Sequence, residues 1–455
     1  MAARADAGEN PPMAITSPLQ PRRSAPQRLL LAATSTSIFM LAGCAATAPT
    51  PSSASGGPAA ASAPAPAPSA PSSPAAAAGE AHDREFARWI DQFRAQARSG
   101  GIDEATLHAA FDGVQFLPDV IERDRAQPEF TRAVWDYLDT AVSPTRVARG
   151  QDKRMEVRAE LDAAAARYGV PPEIITAIWG MESNYGANYG STPTIDALST
   201  LGFEGRRDAW AREQLLAALR ILQNRDIARE RMIGSWAGAM GQTQFLPTSF
   251  LSYAVDGDGD GRRDIWNSMA DVMASTANFL ARAGWRPGQP WGVEVRLPAG
   301  FDFARADDAL RQPASQWAAE GLRTMDGAPL PDLPEASVLL PAGARGPAFL
   351  VGPNFRSILR YNNSTSYALG VGLLAQRLAG GAGVQAPWPR ELQPLSRSDM
   401  RALQEALNGK GLNAGTPDGV MGPATRSAIR SYQRGAGLPA DGYPTTELLR
   451  QVQVP

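Results

Sequence analysis

One carboxylate in this sequence stands where acid catalysis would need it. Glu182 lies in EIITAIWGMESNYG, with Ile175, Ile178 and Trp179 seven, four and three positions before it, so helical spacing puts all four on one face. The carboxylate then ends an apolar stripe, where loss of hydration raises a carboxyl's pKa and keeps its proton near neutrality, as a general acid requires. Ser183-Asn184-Tyr185-Gly186 follows as a helix stop with polar groups beside the acid. A lone glutamate with this spacing is also compatible with an exposed carboxylate at a helix end, and the stripe alone leaves that open.

A second cluster suits a cation. Asp256, Asp258, Asp260 and Gly261 match positions 1, 3, 5 and 6 of an EF-hand loop, with the Arg262 carbonyl and Asp264 available further on. Position 12 is Asn267 instead of the usual bidentate glutamate, and Asp271 comes too late, so an acidic glycine-rich turn without metal fits the same text.

The rest of the composition narrows the chemistry. Among 455 residues there are one cysteine, Cys44, and two histidines, His82 and His108. No Cys/His zinc cluster, iron-sulfur site, redox pair or internal disulfide can be built from these. A Ser-His-Asp triad would have to use a histidine far upstream of the other motifs. With 44 basic and 46 acidic residues the net charge of −2 gives no sign of a nucleic-acid binder.

The elements that must position Glu182 read as mainly α. Helical periodicity marks Glu85 to Ala97, Asp103 to Phe111, Gln151 to Tyr168, Pro172 to Tyr185, Asp208 to Asn224, Ser268 to Ala283 and Tyr367 to Leu378. GVEVRL at 292–297, SVLLPAG from Ser337 and AFLVG at 348–352 look like short strands, so 290–352 reads as a small α+β insertion, with helix returning after Tyr361. At the C-terminus, Leu403-Gln404, Gly411-Leu412 and Asp418-Gly419 are echoed by Tyr432-Gln433, Gly437-Leu438 and Asp441-Gly442. This internal repeat of helix and glycine turn predicts a separate three-helix module over 395–455.

The N-terminus reads as an address. Arg22, Arg23 and Arg28 precede an apolar stretch from Leu29 to Ala42, too short and too rich in Ser and Thr for the roughly 20 apolar residues of a membrane span. Residues 1–43 are thus expected to be a signal peptide. From Ala45 to Gly79 every residue is Ala, Pro, Ser, Thr or Gly, so 44–81 reads as an unfolded tether reaching from roughly 35 to 110 Å.

Several of these segments resemble known families. Leu41-Ala42-Gly43-Cys44 resembles the lipobox of bacterial lipoproteins, which implies that Cys44 becomes an acylated first residue; Ala45 and Ala46, without an Asp, imply outer-membrane attachment facing the periplasm. LQEALNGKGLNAGTPDGVMGPATRSAIRSYQRGAGLPADG resembles a peptidoglycan-binding domain. GMESNYG resembles the catalytic segment of lysozyme-like lytic transglycosylases. Together with GSWAGAMGQTQFLPTSFLSYAVDGDGDGRRDIW, RYNNSTSYALGVGLLAQRL and RAQPEFTRAVWDYL, it is similar to the membrane-bound lytic murein transglycosylase B family, over a catalytic domain read as 82–386.

That resemblance implies a lysozyme-like core with Glu182 as the catalytic acid. It implies that Ser235, Gln244, Tyr361, Asn362 and Tyr367 bind substrate, and that Asp256, Asp258, Asp260, Arg262 and Asp264 hold a structural Ca2+ with no cofactor in the chemistry. It also implies one glutamate serving twice, as acid and then as base, to leave a 1,6-anhydromuramyl product. The implied partners are peptidoglycan glycan strands, a membrane only through Cys44, and other murein enzymes. Two readings stay open beside it: a lysozyme-type hydrolase using the same acid, and a non-catalytic peptidoglycan-binding scaffold. The lack of an evident second carboxylate speaks against the first, and the apolar setting of Glu182 against the second.

Overall fold

The structure, a computed structural model, describes residues 74–126 and 132–454. The expected signal segment, Cys44, most of the expected tether and the block Gln127-Pro128-Glu129-Phe130 lie outside the described residues. Helix α1 spans Pro74–Ser99, so the ordered body starts earlier than the expected residue 82. Proline fits a helix's first turn and the Ala75–Ala78 run has the highest helix propensity, which carries the helix back into the low-complexity text.

The helical body continues through α2 (Glu104–Phe111), α3 (Pro118–Arg125), α4 (Val134–Ala141), α5 (Pro144–Glu156), α6 (Arg158–Tyr168) and α7 (Pro172–Ser183). The helix expected over 151–168 breaks in two at Val157, whose ψ of 31° leaves the helical region. Then come α8 (Thr194–Glu204), α9 (Asp208–Gln223), α10 (Pro247–Tyr253) and α11 (Met269–Arg282). A two-residue ribbon pairs β1 (Thr192–Pro193) with β2 (Ile233–Gly234). Among the described residues no helix is long and apolar enough to cross a membrane.

The insertion is α+β, as its text suggests. Strands β3 (Gly292–Arg296), β4 (Arg323–Thr324), β5 (Ser337–Leu339) and β6 (Ala348–Val351) form an antiparallel sheet in the order β4-β3-β6-β5, with Val293 and Val338 both opposite Leu350. Helix α12 (Ala314–Ala319) closes a small core of its own on this sheet, centred on the fully buried Trp317, whose indole donates to the Ala336 carbonyl at 3.0 Å. Helix returns at Pro353 with α13 (Pro353–Tyr361), which ends where the helix was expected to begin. Phe355 and Ile358 at i and i+3 face the core, and Pro353 starts the helix without losing a hydrogen bond.

Helix α14 (Thr365–Leu378) runs through the main core. Its buried run from Tyr367 to Ala375 packs against α4, α5, α7 and α13, and Ile174 to Trp179 of α7 are likewise buried. A helix apolar on nearly every side belongs at a centre, which is where the GMESNYG and RYNNSTSYALGVGLLAQRL segments meet.

The C-terminal module has α15 (Arg397–Gly409), α16 (Pro423–Gly435) and α17 (Thr446–Gln453) around Leu403, Leu407, Ile429 and Val452. Its sequence repeat is a repeat of hydrogen bonding. Gln404 donates to Asp418 and accepts from the Gly419 amide at 2.9 Å, and Gln433 donates to Asp441 and accepts from the Gly442 amide at 2.8 Å. Both glycines have positive φ, 77° and 71°, which is why each turn reads Asp-Gly. The module's core is separate but its surface is not, because Arg430 pairs with Asp307 of the insertion at 2.9 Å and the Ala344 amide donates to Asp441 at 2.8 Å.

Candidate active site

Glu182 sits in the last turn of α7, and the chain behind it is tightly specified. Asn184, Tyr185 and Gly186 follow with φ of 50°, 59° and 77°, three left-handed residues in succession. Ser183 holds this turn, donating to the Trp179 carbonyl and accepting from the Gly186 amide, each at 3.1 Å. The Tyr185 ring folds back under α7 and its hydroxyl donates to the Arg146 carbonyl of α5 at 3.0 Å. Two glycines make room for it: a Cβ at Gly180 or at Gly150 would lie 2.5 or 2.4 Å from the ring or its hydroxyl.

Glu182 as a residue keeps some solvent exposure, but its carboxyl is set near Tyr137, Tyr361 and Tyr367 and loss of hydration governs its ionisation. Burial pushes the group up from 4.5 to about 7, and the Tyr367 hydroxyl, donating to Oε1 at 2.5 Å, holds it partly back. Burial wins. The same crowding pushes the hydroxyls of Tyr137, Tyr361 and Tyr367 above the ordinary tyrosine range, with the Glu182 charge as the next cause. In Tyr367→Phe the titration of Glu182, followed by NMR of its carboxyl carbon, is expected to move up by about one unit, the worth of one charge-assisted hydrogen bond. A shift downward or none would mean that the bond does not favour the carboxylate.

Of the residues expected to bind substrate, Tyr367 reaches Glu182 directly and Tyr361 stands beside it, its hydroxyl donating to the Thr243 carbonyl at 2.7 Å. Asn362 follows at the end of α13, and its Oδ1 is buried without a hydrogen-bond partner, as is the Thr243 hydroxyl. Ser235 and Gln244 each bond backbone groups. Ser235 is 3% exposed and its Oγ accepts from the Ala239 amide at 3.0 Å, while Gln244 donates to the Tyr189 and Gly241 carbonyls at 3.0 and 2.9 Å. Both brace the 234–245 loop, whose tight turns leave backbone groups that side chains must satisfy. Tyr137 was missed by sequence reading. Its signal was a tyrosine in VWDYL between the buried Trp135 and Leu138, visible only once α4 is laid against α14.

In the acidic loop, carboxylate oxygens of Asp256, Asp258 and Asp260 come within 4.8 Å of one another. Asp264 does not join them, because its carboxylate accepts from the Trp266 amide and from Asn267 at 3.0 and 2.9 Å. The Arg262 guanidinium pairs with Asp260 at 3.0 Å. Asp271, 1% exposed, braces the loop by accepting from the Gly257 and Asp264 amides at 2.7 and 2.6 Å. Three converging carboxylates are an oxygen-only donor set of the kind a hard divalent cation takes.

Comparison with known proteins finds relatives for both parts of the chain. A family model described as Transglycosylase SLT domain matches residues 85–376, and one described as Putative peptidoglycan binding domain matches 396–452. The membrane-bound lytic murein transglycosylase B of Escherichia coli (strain K12) is 36% identical over 250 residues, covering 53% of this chain and 66% of the relative, just under two thirds of its length. The structure is similar to that of SltB3 from Pseudomonas aeruginosa in complex with NAG-anhNAM-pentapeptide, with TM-score 0.79 and 53% identity over 81% of this chain and 99% of that one. It is also similar to the Escherichia coli lytic transglycosylase Slt35 in complex with calcium, with TM-score 0.53 and 33% identity over 65% of this chain and 92% of that one. The matched family model takes in the helical body around Glu182 from residue 85 to 376 and the second begins only at the C-terminal repeat, so this chain belongs to the transglycosylase SLT-domain family.

Proposed function

We propose that this enzyme is a lytic murein transglycosylase that breaks the β-1,4 bond between N-acetylmuramic acid and N-acetylglucosamine and closes a 1,6-anhydro ring on the muramyl product. The protonated Glu182 gives its proton to the glycosidic oxygen, which leaves with the bonding electrons, while the substrate's 2-acetamido group stabilises the positive anomeric carbon. The Glu182 carboxylate then takes the proton of the C6 hydroxyl as that oxygen bonds to C1, which restores the acid and consumes no water. An intramolecular hydroxyl has a high effective concentration, so no second carboxylate is needed to activate water.

The observation that carries this reading is the Glu182 carboxyl set beside Tyr137 and Tyr361 with the Tyr367 hydroxyl donating to it at 2.5 Å, where burial pushes it up to about 7, suited both to giving and to taking a proton at neutral pH. Burial raises that value and the Tyr367 hydroxyl holds it partly back. The unpartnered Oδ1 of Asn362 supports a sugar hydroxyl or amide as its missing donor. The anhydro sugar in the ligand of the SltB3 complex points the same way. Mass spectrometry of digested murein tests it: the expected muropeptide is one water lighter than its reducing counterpart, and a reducing product would assign a hydrolase.

The reading extends to the rest of the chain. The C-terminal module holds the enzyme on peptidoglycan, Cys44 carries a lipid at the periplasmic face of the outer membrane, and the acidic loop takes a structural Ca2+ on Asp256, Asp258 and Asp260. At a hundredfold excess of calcium over its Kd, linkage predicts about 2.7 kcal/mol of added stability, read as a rise in melting temperature. No heat in calorimetry and no shift in melting would retire the site.

A further inference from the structure

We infer that Gln242 is a positioning residue for Glu182, acting through Trp179. Gln242 is buried, and its amide is used at both ends: Oε1 accepts from the Trp179 indole at 2.7 Å and Nε2 donates to the Trp266 carbonyl at 2.8 Å. Its own backbone amide donates to the Ile265 carbonyl at 2.9 Å. One side chain therefore ties α7, one turn before the acid, to the segment that leaves the acidic loop.

The same amide also holds the other side of Glu182. A Cβ on Gly186, four residues past the acid, would lie 2.3 Å from Gln242 Oε1, so the left-handed turn after α7 closes onto the glutamine. Trp179 in turn packs edge-to-face on Tyr185, with ring centroids 5.6 Å apart, and its carbonyl takes the Ser183 hydroxyl. Gln242 thus bonds the chain at i−3 of the acid and lies against it at i+4. The anchor at its far end is firm, because the Trp266 indole donates to the Ile233 carbonyl at 2.8 Å and its amide donates to Asp264 at 3.0 Å.

Only a neutral amide suits this position. The indole N–H needs an acceptor and the Trp266 carbonyl needs a donor, both in a buried setting where an unmade bond is costly. Leucine would leave both unpaired and free the last turn of α7 to move. A displacement of that turn harms proton transfer to the glycosidic oxygen more than sugar binding, because the transfer depends on hydrogen-bond geometry within tenths of an ångström.

The inference rests on Glu182 being the acid of the proposed reaction, and the test separates the two. With soluble glycan strands as substrate, Gln242→Leu and Trp179→Phe are each expected to lower kcat about tenfold with KM within about twofold, as loss of a transition-state interaction does. The double variant is expected to be no slower than the slower single one, because both act through the same bond. Wild-type kcat in a folded Gln242→Leu, a loss confined to KM, or losses that multiply in the double variant would overturn it. If Gln242→Leu fails to fold, the smaller change Trp179→Phe carries the test alone: a normal kcat there overturns the assignment. A wild-type protein with no activity on glycan strands would instead refute the proposed function.

Discussion

Glu182→Gln is expected to lose at least about a thousandfold in murein cleavage while becoming more stable at alkaline pH. The loss follows from the proposed reaction, in which one group fills both proton-transfer roles, since a single positioned acid or base is commonly worth 10²- to 10⁴-fold. The gain follows from the cost of its charge. Burial raises the carboxyl from 4.5 to about 7, so between those values the folded protein binds more protons than the unfolded chain. Stability from this group is therefore present at low pH and falls as pH rises from the unfolded value through the folded one, by up to about 3 kcal/mol. Glutamine keeps the acceptor that Tyr367 donates to and carries no charge, so melting curves of variant and wild type should coincide near about pH 4 and separate above about pH 7, the variant being higher. Wild-type release of soluble muropeptides by the variant would end the enzymatic assignment of Glu182, and a variant less stable at alkaline pH would show that the carboxyl is not desolvated.

Gly180→Ala is expected to cost about 2 kcal/mol and most of the activity. In an exposed helix the same change would stabilise by about 1 kcal/mol. Here the new Cβ would meet the Tyr185 ring at 2.5 Å, and the ring cannot retreat because Gly150 of α5 lies against its hydroxyl on the other side. Overpacking of about 1–3 kcal/mol with no room to relax exceeds the propensity gain. Displacing Tyr185 also loosens the left-handed turn that ends α7, so the acid moves with it. Thermal melts and initial rates on glycan strands check this, with Gly150→Ala attacking the same ring from the opposite face. A Gly180→Ala protein that melts at or above wild type would show that the ring is not confined.

Much of this was legible in the sequence because it depends on local pattern. The apolar stripe Ile175-Ile178-Trp179 does end in a carboxylate whose ionisation burial controls, and the run Ser183-Asn184-Tyr185-Gly186 does stop the helix, with Asn184 as its left-handed cap. The Asp-Gly echoes of the C-terminal repeat became paired glutamine-clasped turns, since a residue with positive φ announces itself as glycine. Periodicity found α7, α9, α11 and α14 within a residue or two, because each is long and amphipathic or buried. It overlooked α3, α4, α8 and α10, which are short or buried on several faces and so lack a clean period.

What the sequence by itself determined, then, is the place of Glu182 at the end of an apolar stripe, its helix and the text of the acidic loop and of the C-terminal repeat, all of them set by neighbours in sequence. Only the tertiary structure decided which side chains surround the acid. Tyr137 comes from α4, Tyr361 and Tyr367 from α13 and α14, and the Gln242 clasp on Trp179 spans 63 positions. It also decided which backbone groups Asp264 and Ser235 bond, the Trp266 and Ala239 amides. The physical reason is that a hydrogen bond's partner is settled by packing: a polar side chain in a loop bonds whichever backbone group burial leaves unsatisfied, and no local pattern says which that will be.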